Sequence, residues 1–171
     1  MRKGFTLIEV IVAIFIMVMG AVGVFGLITR TVVFSSSVNS QLVASYLAQE
    51  GLEIMRNMRD TNFLKIHKGA GGIWTDGIIA CASPYGCTVE LQADYTQTFM
   101  DAYNDADFLR INGSFYGYAP GNDTTFKRKI TIIQSSADVL KVAVDVSWQD
   151  KGNARTVRGA TELYNWLSPT P

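Results

Sequence analysis

The longest apolar stretch of the chain is residues 5–28, in which Glu9 is the single charged residue. Two cations, Arg2 and Lys3, precede it, followed by Gly4. A helix of this length measures roughly 36 Å, enough to cross a hydrocarbon core of about 30 Å. The pattern predicts a membrane-spanning helix whose leading cations stay in the cytoplasm, which places the rest of the chain outside.

The flanks of this stretch do not fit a secretory signal peptide. Such a peptide is cut at small residues after its apolar run, whereas Thr29, Arg30 and Thr31 follow here. Glu9 is also unusual, because a carboxylate near the middle of a bilayer costs at least about 2.5 kcal/mol. The residues support two interpretations equally: a functional carboxylate, or a side chain that reaches the headgroups from the first turn.

A second helical pattern follows in residues 40–60, where apolar residues recur at three- and four-residue spacing. Its apolar stripe consists of Ala44, Leu47, Ala48, Gly51, Leu52, Met55 and Met58. The opposite side carries Glu50, Glu53, Arg56 and Asp60. We therefore predict one helix over residues 5–60, amphipathic in its second half, with a weakly helical joint at residues 35–37.

The last third of the chain carries the clearest strand patterns. Three strands are predicted at residues 126–134, 139–148 and 155–166, with turns at residues 135–138 and 150–153. In the second of them Leu140, Val142, Val144 and Val146 share one side. Weaker patterns predict strands at residues 73–79, 88–95 and 115–118, a surface loop at 101–107 and a turn at 120–123.

Together these patterns predict an α+β fold. A three-stranded antiparallel meander with one apolar face needs a covering layer, and the amphipathic half of the helix supplies it. About 140 residues remain beyond the membrane stretch, enough for one modest domain.

Composition narrows the function classes. The chain has 15 Lys and Arg against 15 Asp and Glu, so it has no general attraction for nucleic acid. We found no nucleophile motif, phosphate loop or zinc-protease helix, so neither an enzyme nor a cofactor is expected. Cys81 and Cys87 with one distant histidine, His67, make no metal ligand set, and His67 is expected in solvent where the helix ends.

Outside the cytoplasm Cys81 and Cys87 are expected to form a disulfide, which persists in oxidising compartments. The short loop that it closes limits its stabilisation to about 2 kcal/mol.

Each of two charged clusters could be either a binding site or a solvated surface. The acidic run of Asp101, Asn104, Asp105 and Asp107 does not fit the EF-hand spacing, so a solvated loop is favoured over a calcium site. The second cluster is basic and lies on neighbouring predicted strands; its members are Lys127, Arg128, Lys129, Arg155 and Arg158. It could capture DNA, but a solvated strand face is favoured. The sequence does not decide whether four aromatic residues are surface or core: Tyr116, Tyr118, Tyr164 and Trp166.

The segment Lys3-Gly4-Phe5-Thr6-Leu7-Ile8-Glu9-Val10 resembles the processing site of type IV prepilins and type II secretion pseudopilins. The resemblance implies that a prepilin peptidase and methyltransferase cuts between Gly4 and Phe5 and methylates the new N-terminus at Phe5. It also implies that Glu9 acts in filament assembly. A looser similarity over residues 48–60 points to minor pilins of the pilus-modification type.

This resemblance divides the chain into four parts. Residues 1–4 are a cleaved leader, 5–28 a membrane and filament-core helix, 29–60 its amphipathic continuation, and 61–171 a β-rich head outside the cytoplasm. The implied partners are other pilin subunits in a helical filament of one or several kinds, the assembly platform and the cytoplasmic membrane.

The implied function is that of a structural filament subunit held in the cytoplasmic membrane and then moved into an extracellular pilus. The alternatives are a secretion pseudopilin in a periplasmic pseudopilus and, of another class, a membrane-anchored DNA-binding or adhesive module. Gly20, Gly23 and Gly26 either loosen the helix or let neighbouring helices approach closely, and the second is slightly favoured.

Overall fold

The computed structural model describes residues 4–91, 98–113, 115–118 and 120–167. The predicted leader cations Arg2 and Lys3 and residues 92–95 of a predicted strand lie outside these residues. The chain divides into two compact units, Met1–Ser40 and Gln41–Pro171, which we call the N-terminal and the C-terminal unit.

The first element is one long helix, α1, at Leu7–His67. The predicted helix is confirmed, but it continues beyond the expected end at Asp60 because Asn62 and Phe63 are buried in the C-terminal unit. It ends at His67, and the positive φ of 73° at Gly69 turns the chain so that the Ala70 N–H donates to the Lys65 carbonyl at 3.0 Å. A left-handed glycine is a common helix terminator.

Within the described residues, eight strands and one short 3-10 helix follow α1. The strands are β1 (Cys87–Leu91), β2 (Thr98–Ala102), β3 (Arg110–Asn112), β4 (Phe115–Gly117), β5 (Asn122–Asp123), β6 (Lys127–Ser136), β7 (Val139–Asp150) and β8 (Asn153–Tyr164). Five of them form an antiparallel sheet in the order β2-β1-β6-β7-β8. The predicted meander is its β6-β7-β8 part, and the α+β class is confirmed.

A small second sheet has the order β4-β3-β5. The predicted strand at residues 115–118 is β4, which ends at Gly117. The turn predicted at residues 120–123 is only partly correct, because Asn122 and Asp123 pair with β3 as a two-residue strand. Asp101 likewise belongs to β2 and not to the predicted loop.

The strand predicted at residues 73–79 is wrong. This segment contains turns and then a 3-10 helix at Ile78–Cys81. The buried amide of Asn62 donates to the carbonyls of Trp74 and Asp76, at 3.1 and 2.8 Å. These two bonds hold the loop against α1 and take up carbonyls that a strand would use for its neighbour.

The core of the C-terminal unit lies between α1 and the inner face of the large sheet, as predicted. Burial alternates along β6 and β7, and the apolar side predicted for β7 is buried. Gly51 allows the close approach of the helix, because a Cβ there would lie 2.9 Å from Val144 Cγ1. Most of the predicted helix stripe is buried here: Ala44, Leu47, Ala48, Gly51 and Met55, with Leu52 and Met58 half-buried.

Candidate functional site

The N-terminal unit begins, within the described residues, with three residues that precede α1. The Thr6 carbonyl accepts from the backbone N–H of Glu9 at 3.1 Å and of Val10 at 3.3 Å, which closes the first turn. Thr6-Leu7-Ile8-Glu9 follows the Thr-x-x-Glu pattern of a capping box, a signal that sequence reasoning missed. A carboxylate in the first turn also favours the helix by about 0.3 to 1 kcal/mol at an exposed site.

Glu9 is exposed, and apart from Thr6 its neighbours on the helix are apolar and exposed. It therefore has two physical roles that do not exclude each other. Within the chain it helps to begin the helix. Toward anything that covers this surface it presents a negative charge.

Gly4 is not required by the fold of its own chain. A Cβ at this position would have no heavy atom within 4 Å, and its φ lies outside the left-handed region. The described structure would therefore accept a side chain here. If glycine is needed at residue 4, the reason lies in a molecule that approaches this backbone.

The helix surface of residues 5–28 is apolar and uncovered. An 18-residue window of α1 has a mean hydropathy of 2.8 and no buried residue, so the helix is long and apolar enough to cross a membrane by length and composition. Full burial of one large aliphatic or aromatic side chain stabilises by about 1.5 to 3 kcal/mol. A surface of this kind is stable only when lipid or other apolar helices cover it.

The far end of this surface is marked by polar groups that are already satisfied. The hydroxyls of Thr29 and Thr31 donate to the carbonyls of Phe25 and Leu27, at 3.0 and 2.9 Å. Both hydroxyls can therefore enter an apolar environment without an unpaired donor. Arg30, between them, is exposed.

The three glycines in this surface are also not required within the chain. A Cβ at Gly20, Gly23 or Gly26 would meet nothing within 4 Å. Both interpretations of these glycines, loosening of the helix and close approach of a neighbouring helix, therefore stay open.

In the C-terminal unit Cys81 and Cys87 are joined by a disulfide, with their Cα atoms 4.7 Å apart. Both residues are buried, and the loop between them lies against β6, where Lys129 Nζ donates to the Pro84 carbonyl at 3.2 Å. Tyr85 at the tip of this loop is 82% exposed.

We expect protein taken from the cell envelope to have no free thiol until it is reduced. The measurement is the mass added by a maleimide to the denatured chain before and after reduction. Two labelled thiols without reduction would contradict the bridge and weaken the placement of this unit outside the cytoplasm.

In the acidic run, Asp105 is bound by side chains of its own chain. Asp105 accepts from the Tyr103 hydroxyl at 2.8 Å and from Lys127 Nζ at 3.1 Å, and both contacts lower the pKa of its carboxyl. Partial burial and the bond to Asp105 raise the pKa of Tyr103 to about 12. In the part of the chain that the structure describes, no three acidic, histidine or cysteine side chains are grouped as metal ligands would be.

The predicted basic patch is divided by the fold, because Arg128 is buried and only 1% exposed. Period-two alternation puts it on the inner face of β6, opposite to Lys127 and Lys129. On the outer face Lys127 binds Asp105, and Arg158 makes a two-bonded ion pair with Asp145 at 2.6 and 2.7 Å. Each of these two cations is thus next to a carboxylate, which lowers the local positive potential.

Arg128 joins three elements of the C-terminal unit. It donates to the Val89 carbonyl at 2.7 Å and to the Leu47 carbonyl at 3.4 Å, and it pairs with Glu50 at 3.2 Å. Glu50, predicted on the solvent side of the helix, is therefore half-buried at the contact with the sheet. Arg128 Nε has no hydrogen-bond partner among the described residues.

The four aromatic residues that the sequence left undecided differ in their exposure. Tyr118 is half-buried and donates to the Arg128 carbonyl at 3.2 Å, and Tyr116 packs beside the core. Tyr164 and Trp166 are exposed, and the Trp166 ring lies 5.0 Å from the ring of Phe63.

Residues 1–25 match a family model described as the prokaryotic N-terminal methylation motif. No curated protein and no solved structure matches the chain. The match therefore covers the beginning of the N-terminal unit and no part of the C-terminal unit.

Proposed function

We propose that this chain, which carries the type IV prepilin signal and has the long helix and antiparallel sheet of a pilin, is a structural subunit of a type IV pilus or pilus-like filament. The observation that carries the proposal is the uncovered apolar surface of residues 5–28 in the same segment as that signal. Lipid covers this surface while the chain is in the cytoplasmic membrane. Helices of other subunits cover it in the filament.

The processing step follows from the same segment. Prepilin peptidase cuts between Gly4 and Phe5, and the new amine of Phe5 is methylated. The exposed backbone at Gly4, with nothing of its own chain within 4 Å of a Cβ position, supports access by such an enzyme. Residues 29–60 then continue the helix, and residues 61–171 form the head outside the cytoplasm.

Within this family we propose a minor pilin, on the looser similarity of residues 48–60 to pilins of the pilus-modification type. A secretion pseudopilin is the alternative, because it carries the same signal. A DNA-binding role is not favoured, since Arg128 is buried and two of the outer cations lie next to carboxylates.

The experiment that tests this function follows the chain through the cell. Filaments are sheared from cells, and the chain is measured by mass spectrometry in filaments, membranes and medium. We expect a chain that starts at N-methylated Phe5 in the membrane and the filaments. A released chain cut near Arg30 would mean an ordinary signal peptide, and the proposal would be wrong. Deleting the gene and scoring surface pili and protein secretion separately distinguishes a pilin from a pseudopilin.

Glu9→Gln tests the proposed role of the carboxylate. After cleavage Phe5 carries a cationic amine one helical turn from Glu9, a rise of about 6 Å. In an apolar bundle either charge alone is costly, and a pair between them offsets part of that cost. We expect Glu9→Gln to be inserted and cut normally but to be depleted from sheared filaments. Filament content equal to that of the unchanged chain would reduce Glu9 to a capping residue.

A further inference from the structure

The helix surface that is proposed to enter the filament carries two charges of opposite sign. In residues 4–49 the sequence has only Glu9 and Arg30 as Asp, Glu, Lys or Arg residues. Both lie in α1 and both are exposed, among apolar neighbours. The proposed pair between Glu9 and the amine of Phe5 gives no role to Arg30.

The spacing of the two charges matches the thickness of a bilayer. They are 21 positions apart in an unbroken helix, a rise of about 32 Å, against a hydrocarbon core of about 30 Å. A turn of about 100° per residue brings them within roughly 60° of the same side of the helix. In the membrane each charge therefore lies at its own interface, where headgroups and water solvate it.

Transfer of the helix into a bundle of apolar helices removes that solvation. A carboxylate or a guanidinium enclosed alone in such a bundle costs several kcal/mol, and a partner of opposite charge offsets much of this. Glu9 and Arg30 of one chain cannot meet, because about 32 Å of helix separates them. Two parallel copies staggered by the same 32 Å bring Glu9 of one copy to the level of Arg30 of the other.

We propose that Arg30 is a positioning residue for filament assembly, which pairs with Glu9 of a second copy of this chain displaced by about 32 Å along the helix axis. The inference rests on the proposed filament function, and it adds the axial displacement between two paired subunits. Charge complementarity favours a second copy as the partner, because it supplies the opposite charge at the required level. A minor subunit meets this requirement only where two of its copies are neighbours in the filament. A carboxylate has two oxygens, so Glu9 can accept from Arg30 and from the amine of Phe5 together.

The first test is a double-mutant cycle on filament content, normalised to the cleaved chain in the membrane. We expect Glu9→Gln and Arg30→Gln each to lower it by about tenfold and the double variant to lose no more, whereas independent effects would multiply to about 100-fold. Arg30→Lys keeps the charge and should retain most of the content. Unchanged content in Arg30→Gln, or multiplied losses in the double variant, would overturn the proposal.

The second test locates the contact. A chain with E9C and R30C lacks both charges of the proposed Glu9–Arg30 pair, and a link between positions 9 and 30 can form only between chains. After mild oxidation we expect mass spectrometry to find the 9–30 disulfide peptide in filaments. It should be absent from the membrane pool, where the copies lie at one depth.

The matched control is I11C with R30C. Ile11 is also exposed, at nearly the same level, but it lies about 200° around the helix from Glu9. The 11–30 disulfide should form at least tenfold less than the 9–30 disulfide. Filaments that contain the chain without the 9–30 link, or with position 9 linked to another protein, overturn this inference and leave the proposed function intact. Absence from filaments of the chain with Glu9 and Arg30 unchanged overturns both.

Discussion

A chain with Gly4→Leu is expected to stay uncut in the membrane, with at least tenfold less product starting at Phe5. That loss corresponds to about 1.4 kcal/mol or more in the cleavage step. The physical reason is access: the peptidase has to bring the peptide bond after residue 4 into its active site, where a branched side chain crowds the backbone. The mass of the chain in washed membranes is the measurement.

Gly20→Leu is the matched control, since a Cβ there also has nothing of its own chain within 4 Å. Both variants are tolerated equally by the monomer, so a difference in cleavage isolates the requirement of the enzyme. Normal cleavage of Gly4→Leu would separate this glycine from processing. A block in both variants would point instead to impaired insertion of the helix.

Periodic segments were predicted correctly because the same pattern of apolar and polar residues recurs at many positions in them. The apolar stripe of α1 and the alternation along β7 are repeated over many positions, and the structure buries both. The predicted end of α1 at Asp60 is too early: the helix continues to His67, and the left-handed Gly69 follows it. The strands of the small sheet are two or three residues long, too short for any period to appear.

The errors in the C-terminal unit arise from single long-range contacts. The 3-10 segment at Ile78–Cys81 follows a loop that the side chain of Asn62 holds in place, and no local pattern contains that information. Arg128 did leave a signal: it alternates with Ile130 and Ile132, which share its buried face. The alternation alone does not predict its burial, because charged residues are rarely buried without partners.

The N-terminal site was accessible from sequence because its residues are adjacent in the chain. Gly4, Phe5 and Glu9 form one short motif, and the structure adds the capping pattern from Thr6 and the free space at Gly4. The proposed pairing of Arg30 depends on helix geometry. It follows only once α1 is known to be continuous between residues 9 and 30.

The second large effect is expected from Arg128, which ties α1 to β1 and β6. Arg128→Ala removes a fully buried side chain and leaves the Val89 carbonyl without its donor at 2.7 Å. We expect the free energy of unfolding to fall by about 2 to 5 kcal/mol, as for other large-to-small changes in a core. The full chain in detergent, unfolded with urea, provides the measurement, and Trp74, Trp148 and Trp166 all report on the C-terminal unit.

Arg128→Met separates packing from hydrogen bonding. It fills most of the space, and burial of the guanidinium is already incompletely compensated because Nε has no partner among the described residues. We therefore expect Met to cost less than Ala, since a buried charge replaced by an apolar side chain of similar volume is often close to neutral. Lys129→Ala, one residue along on the outer face, is the control and should cost less than about 1 kcal/mol. An Arg128→Ala chain as stable as the control would mean that the guanidinium does not hold the helix on the sheet.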